Sequence, residues 1–308
     1  MTVTAFSRDN KDLIISGDTL FDGLMDTCEG TLGAAIERLR PQGKDLIGIT
    51  AGHVLERAHE FLIKTKNRNV MLDCKWPPPS ALLDIDSWVD WARLECGILE
   101  IAQADKTLFK GFEGDVDLYH YSRYRIPDSV DGRLIDHTYD RAKDLQVRCS
   151  KGGITVFKDG AQTGNTQGKI VRIRYKAPPS WYNVPFPAEP DATDNGAQHV
   201  FENDSGLAEV ADELWTDEEL EYDFDDDESD TDEIPTPRPW LATLQHNPSF
   251  ADHGDSGALL YSKVENTKVP IGLWLGSTAE LKVNEGLVLG LDCFGFLGLE
   301  NRCRYRLL

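Results

Sequence analysis

The run His253-Gly254-Asp255-Ser256-Gly257-Ala258 sets one serine between two glycines, just ahead of the apolar stretch Leu259 to Tyr261. Glycines on both sides allow a tight bend that presents a hydroxyl and aims successive N–H groups at one point, the geometry an oxyanion hole requires. The same run also reads as a polar turn between strands, so it needs a second observation. A serine hydroxyl is a weak nucleophile near neutral pH and works only with a base to take its proton. His53 closes the sequence Thr50-Ala51-Gly52-His53 after the apolar segment Leu46-Ile47-Gly48-Ile49, which sets an imidazole at the end of a rigid strand. The competing reading of His53 is a satisfied buried histidine. His59 lies among charged residues and reads as an exposed helix residue.

Positioning these groups falls to short apolar runs separated by Gly, Asp, Asn or Pro: residues 30–36, 46–51, 69–72, 97–101, 153–157, 169–175, 241–244, 258–261 and 269–275. Many short strands with frequent turns predict an all-β barrel or sandwich. Helical periodicity is confined to Val54–Ile63 and to Leu207, Val210, Ala211, Leu214 and Trp215. The 308 residues carry 53 acidic and 32 basic side chains, a formal charge of -21. That sign argues against nucleic acid or an anionic membrane as a partner. Twenty of the acids lie between Ala177 and Pro237, where there is no Lys or Arg, leaving 33 acids against 32 bases in the other 247 residues. A nearly neutral body holds an acidic insert.

The first sixteen residues are interrupted by Arg8, Asp9, Lys11 and Asp12 and do not read as a secretory signal. The greasiest stretch, 286–299, is broken by Asp292 and is too short to span a bilayer. A cytoplasmic, intracellular protein is the expectation. Cys28, Cys74, Cys96, Cys149, Cys293 and Cys303 form no CxxC pair, so reduced structural thiols are expected, and neither a metal nor a cofactor. The aspartate run 223–233 lacks the spacing of an EF-hand calcium loop.

Taken together, TAGH at residues 50–53 and GDSG at 254–257 resemble the chymotrypsin-like serine protease superfamily. Lys158, Gly160, Thr163, Gly164, Thr166 and Gly168 form a pattern similar to the first hairpin of the second barrel in its bacterial-type and high-temperature-requirement-type branches. Gly30-Thr31-Leu32-Gly33 and Val269-Pro270-Ile271-Gly272-Leu273 resemble an early and a late core strand of those enzymes. The order His then Ser is that of chymotrypsin. The resemblance covers residues 28 to 277 with the insert looped out, and no PDZ-like domain is expected in residues 278–308.

What the resemblance implies is two six-stranded antiparallel β-barrels with a cleft between them. Residues 1–125 would form the first and 126–308 the second, which the insert at 186–237 interrupts. Ser256 would be the nucleophile, His53 the general base, and the N–H groups of Gly254 and Ser256 the oxyanion hole. Asp255 would stabilise the turn, since nothing resembles a zymogen activation site. The superfamily's third residue is an acid followed by any residue, a small residue and an apolar strand. Glu95 fits, with Cys96, Gly97 and Ile98 behind it. Asp90 is the alternative, but it sets Arg93 where a buried aliphatic residue belongs. The pattern favours Glu95, although Asp is the usual acid. By position Phe250 would lie near the base of the specificity pocket, with Trp274, Leu275, Gly276 and Ser277 lining it, a wall suited to small or medium apolar side chains.

The implied activity is serine endopeptidase cleavage of proteins or peptides. The rival is a catalytically weak, protease-like binding module that uses the cleft and the acidic arm for recognition. The insert itself reads as a solvated spacer, as a docking arm for a basic protein with Trp215, Tyr222 and Phe224 as anchors, or as an autoinhibitory flap.

Overall fold

The computed structural model describes residues 12–25, 27–40, 43–56, 60–76, 88–112, 145, 149, 151–174, 240–264, 267–277, 284–300 and 303–307. The acidic insert, the expected helix at 207–215, the three aromatic anchors and His59 lie outside them.

Residues up to 112 supply seven strands: β1 (Thr19–Asp22), β2 (Cys28–Thr31), β3 (Ala34–Arg40), β4 (Gly43–Ala51), β5 (Glu60–Lys64), β6 (Asn69–Trp76) and β7 (Cys96–Ile101). Burial follows the side-chain pattern. Val70 and Leu72 of β6 are buried between exposed neighbours, the period-2 alternation of a strand with one wet face. The apolar run of β7 is buried almost throughout, as a central strand requires. With β14 (Arg304–Leu307) these strands form one antiparallel sheet ordered β14-β3-β4-β7-β6-β5-β1-β2. Strands β2 and β3 stand towards opposite edges of that order, yet only Leu32 and Gly33 join them, so the sheet must curl until its edges meet. It counts eight strands rather than six because the break at Leu32-Gly33 divides one long strand and because β14 is added.

The tail thus returns to the first half of the molecule. Arg304 to Leu307 pair with Leu39 to Ile36, and the guanidinium of Arg306 bonds the carboxylate of Glu37.

The second half is a closed six-stranded barrel built from β8 (Ile154–Gly160), β9 (Gly164–Arg174), β10 (Leu241–His246), β11 (Leu259–Val264), β12 (Thr267–Gly276) and β13 (Glu285–Gly290), in the order β10-β13-β12-β11-β8-β9. Val156, Ile170, Trp240, Leu244, Phe250, Leu260, Ile271, Trp274 and Val288 fill it. The glycine-rich pattern at 158–168 is the β8–β9 hairpin, in which Gly160 pairs with Gly164. Gly164 takes φ +69°, a conformation that favours glycine.

Among the described residues the all-β pattern is interrupted by α1 (Trp88–Leu94) and α2 (Asp292–Glu300). No helix among the described residues is long and apolar enough to cross a membrane. The helix expected at Val54–Ile63 is absent: Gly52–Val54 is a single 3-10 turn, and Glu60 onward is β5, because Phe61, Leu62 and Ile63 are buried and paired with Leu72, Met71 and Val70. Tertiary pairing overrides the weak local periodicity there.

Candidate active site

Strand β4 runs Ile47, Ile49 and Ala51 into the core and ends where the 3-10 turn begins, so His53 emerges at the end of a buried element. Gly52 makes the next step possible. Its N–H donates to the Glu95 carbonyl at 2.8 Å, and a methyl group on it would overlap the Leu94 carbonyl. Only glycine lets the two chain segments approach this closely. The approach sets the Glu95 carboxylate against His53: Nδ1 lies 2.8 Å from Oε2, and the His53 backbone N–H also points at that oxygen, at 3.4 Å. Glu95 is 3% exposed, and about a third of the His53 side chain faces solvent.

Glu95 sits at the junction of α1 and β7, its N–H bonded to the Trp91 carbonyl. Asp90 belongs to α1, and its side chain lies outside the described residues. Because 88–94 is helical, Arg93 occupies no strand position, and the burial argument against Asp90 does not apply in the form expected from sequence. Among the described residues Glu95 is the acid whose carboxylate meets His53.

The serine loop comes from the other half of the molecule and is stitched to the first. Thr31 N–H donates to the Ser256 carbonyl at 2.8 Å, and the Thr31 hydroxyl donates to the Gly254 carbonyl at 2.8 Å. The Thr50 hydroxyl, three residues before His53, donates to the Thr31 carbonyl at 2.8 Å. Gly257, at φ +88°, packs so tightly on Thr50 and Thr31 that a methyl group would collide with both. The loop carrying Ser256 is therefore held against the strands that lead to His53. The Ser256 hydroxyl donates to the Leu275 carbonyl at 3.1 Å. Gly254 takes φ +94°. Among the described residues neither Gly254 N–H nor Ser256 N–H donates to a protein acceptor, whereas Asp255, Gly257 and Ala258 donate to Asp252, Trp274 and Asp255 carbonyls.

Asp255 has a larger part than turn stabilisation. Its fully buried carboxylate lies 2.9 Å from Lys158 Nζ, itself fully buried. It also accepts from Gln162 N–H at 2.8 Å, Thr163 N–H at 3.3 Å, the Thr163 hydroxyl at 2.6 Å and Asp252 N–H at 3.0 Å. Burial alone would raise its pKa, but the Lys158 charge and these hydrogen bonds outweigh it and hold the carboxyl below its usual value. The network ties the β8–β9 hairpin to the residue before Ser256. Sequence reasoning missed Lys158 as Asp255's partner. The signal was available: along β8 the inward positions are Val156, Lys158 and Gly160, and a lysine on a core face must be paired.

Of the residues expected to wall a specificity pocket, Phe250, Trp274 and Leu275 are buried, whereas Gly276 is half-buried and Ser277 exposed. Phe250 is 1% and Trp274 2% exposed, their rings meeting edge to face at 5.1 Å. Leu275 is buried as well, and Gly276 follows it at φ +125°. Another cavity, of about 880 Å³, is lined by Gln167, Lys169, His246, Asn284 and Glu285 among others, and its walls hold neither His53 nor Ser256.

No family model and no curated protein matches this sequence. Solved structures do match. Its structural neighbours are chymotrypsin-like serine proteases. The Nocardiopsis protease NAPase aligns over 95% of this chain and 98% of its own, at 14% identity and a TM-score of 0.39. A glutamic acid specific serine protease aligns over 94% and 99%, at 12% identity and 0.40. The chymotrypsin of Cellulomonas bogoriensis aligns over 96% and 98%, at 13% identity and 0.37.

Proposed function

We propose that this chain is a serine endopeptidase acting on proteins or peptides through Ser256, His53 and Glu95. The carrying observation is the 2.8 Å contact between His53 Nδ1 and the buried Glu95 carboxylate, beside a serine loop hydrogen-bonded to Thr31, which in turn accepts from Thr50 of the strand that leads to His53. A carboxylate only accepts, so Nδ1 carries the proton and Nε2 is the nitrogen able to take one from the Ser256 hydroxyl once that hydroxyl turns from the Leu275 carbonyl. The first half of the chain supplies the base and the acid, and the barrel supplies the nucleophile.

The chemistry then follows from the groups. Ser256 Oγ attacks the peptide carbonyl carbon as its proton passes to His53 Nε2. Glu95 stabilises the imidazolium and fixes its orientation. The unengaged N–H groups of Gly254 and Ser256 take the oxyanion of the tetrahedral intermediate, a contribution of about 3–4 kcal/mol per donor. His53 then protonates the leaving amine, and water attacks the acyl-serine by the same route in reverse. The buried Lys158–Asp255 pair supports a loop held ready for this without an external trigger.

Covalent labelling by a fluorophosphonate probe tests the proposal. Labelling of the wild type that disappears in Ser256→Ala is the expected result. A folded wild type that takes up no label would favour the rival binding module.

A further inference from the structure

We infer that the indole of Trp274 plugs the specificity pocket, restricting the residue on the acyl side of the cleaved bond to Gly, Ala or Ser. This rests on the protease reading above and names the substrate class for the same site. The observations begin with the backbone around Ser256. Leu275 supplies the carbonyl that receives the Ser256 hydroxyl, while the Trp274 backbone bonds the two residues that follow Ser256, accepting from Gly257 N–H at 2.7 Å and donating to the Ala258 carbonyl at 2.9 Å. A side chain held in place for attack by Ser256 would therefore enter beside Trp274 and Leu275.

That entrance is already filled. A β-bulge between Trp274 and Gly276 breaks the pairing with β13, and bulges re-aim the side chains around them. The indole lies over Gly286 of β13: a methyl group on Gly286 would overlap its six-membered ring and would sit 2.9 Å from the Gly276 carbonyl oxygen. Gly286 thus leaves room for the indole and for nothing more. Phe250 closes the far side at 5.1 Å, and the His246 ring meets both, at 5.2 Å from Phe250 and 5.5 Å from Trp274. Phe250 and Trp274 are almost wholly buried and close-packed against each other, while His246 is half-buried and faces the cavity described above. A methyl or hydroxymethyl group can rest on the indole edge. A leucine or phenylalanine side chain has to displace it.

The experiment uses one peptide sequence with Gly, Ala, Ser, Leu or Phe at the scissile position, together with peptidyl phosphonates carrying Ala or Phe there. Each misfitting methylene is worth about 10–200-fold, so Ala should exceed Phe by at least about 100-fold in kcat/KM and in labelling rate. Trp274→Leu removes the plug while keeping an apolar residue, and should raise the Phe-to-Ala ratio at least about tenfold. The inference is overturned if wild type handles Phe as well as Ala, or if a folded Trp274→Leu that cleaves the Ala peptide keeps the wild-type ratio. Should that variant not fold, the wild-type series decides alone. A small fluorophosphonate separates the two readings: label on Ser256 without an Ala preference removes only the plug, and no label removes the protease as well.

Discussion

Replacing Lys158 with methionine would test how the barrel holds Ser256 ready. The substitution keeps most of the side-chain volume and removes the charge facing the Asp255 carboxylate at 2.9 Å. Four neutral donations remain, from Gln162 N–H, the Thr163 hydroxyl and N–H, and Asp252 N–H. They cannot neutralise a buried anion. Breaking a buried pair from one side costs about 3–5 kcal/mol. For a chain of this size that is a fall of roughly 6–20 °C in Tm. The carboxylate also fixes the residue between the two N–H groups assigned to the oxyanion, so turnover should fall by about 100 to 1,000-fold. Thermal denaturation and fluorophosphonate labelling would be measured on Lys158→Met, Asp255→Asn and the double variant. The double variant leaves no unpaired charge and should be more stable than Lys158→Met alone. If Lys158→Met stays within about 0.5 kcal/mol of wild type and labels at the wild-type rate, the pair does not organise this loop.

Further outcomes follow from the same geometry. Glu95→Gln should lower kcat by roughly 1,000 to 10,000-fold in a peptide hydrolysis assay, since the amide can no longer fix the imidazole tautomer, while Asp90→Asn stays within about twofold. Gly52→Ala should separate His53 from Glu95 by forcing apart the Gly52 and Leu94 backbones, abolishing labelling in a protein whose circular dichroism still shows strand. Asp255 is held below its usual pKa in the folded chain, so its stabilisation is present above the unfolded carboxyl range and lost as pH falls through the folded value. Tm should fall less steeply with pH below about 4 in Asp255→Asn than in wild type. Activity should fall on the acid side as His53 takes up a proton, and a flat rate from pH 5 to 8 would contradict a histidine base.

The residues nearest the chemistry were the most legible in the sequence because their local patterns are sterically compulsory. Gly52 stands where a methyl group would collide with the Leu94 carbonyl at the end of α1, and Gly257 where it would collide with Thr50 and Thr31, so the TAGH and GDSG runs carry their tertiary setting with them. Glu95 was reached through the strand behind it, which forms as β7, although the case against Asp90 assumed a strand where α1 stands. What escaped notice depends on distance along the chain. Lys158 and Asp255 are 97 residues apart: the alternation of β8 shows that Lys158 needs a partner but not that the partner is Asp255. Strand β1 and the start of β5 are short and mixed in polarity, and become strands only through their partners. The plug is hidden likewise, because Trp274 and Gly286 sit on different strands and only their packing shows that one fills the other's missing side chain.

The pairing of β14 with β3 joins positions such as Arg306 and Glu37, 269 residues apart, and so sets an order on biogenesis. As the chain leaves the ribosome at about 5–20 residues per second, the sheet that bears His53 waits with the β3 edge uncovered until residues 304–307 emerge. An open strand edge is a template for pairing with another chain. The cell is therefore exposed to aggregation of this protein during synthesis rather than afterwards. Loss of residues 304–307 would prolong that exposure indefinitely, although every residue of the proposed site would still be present.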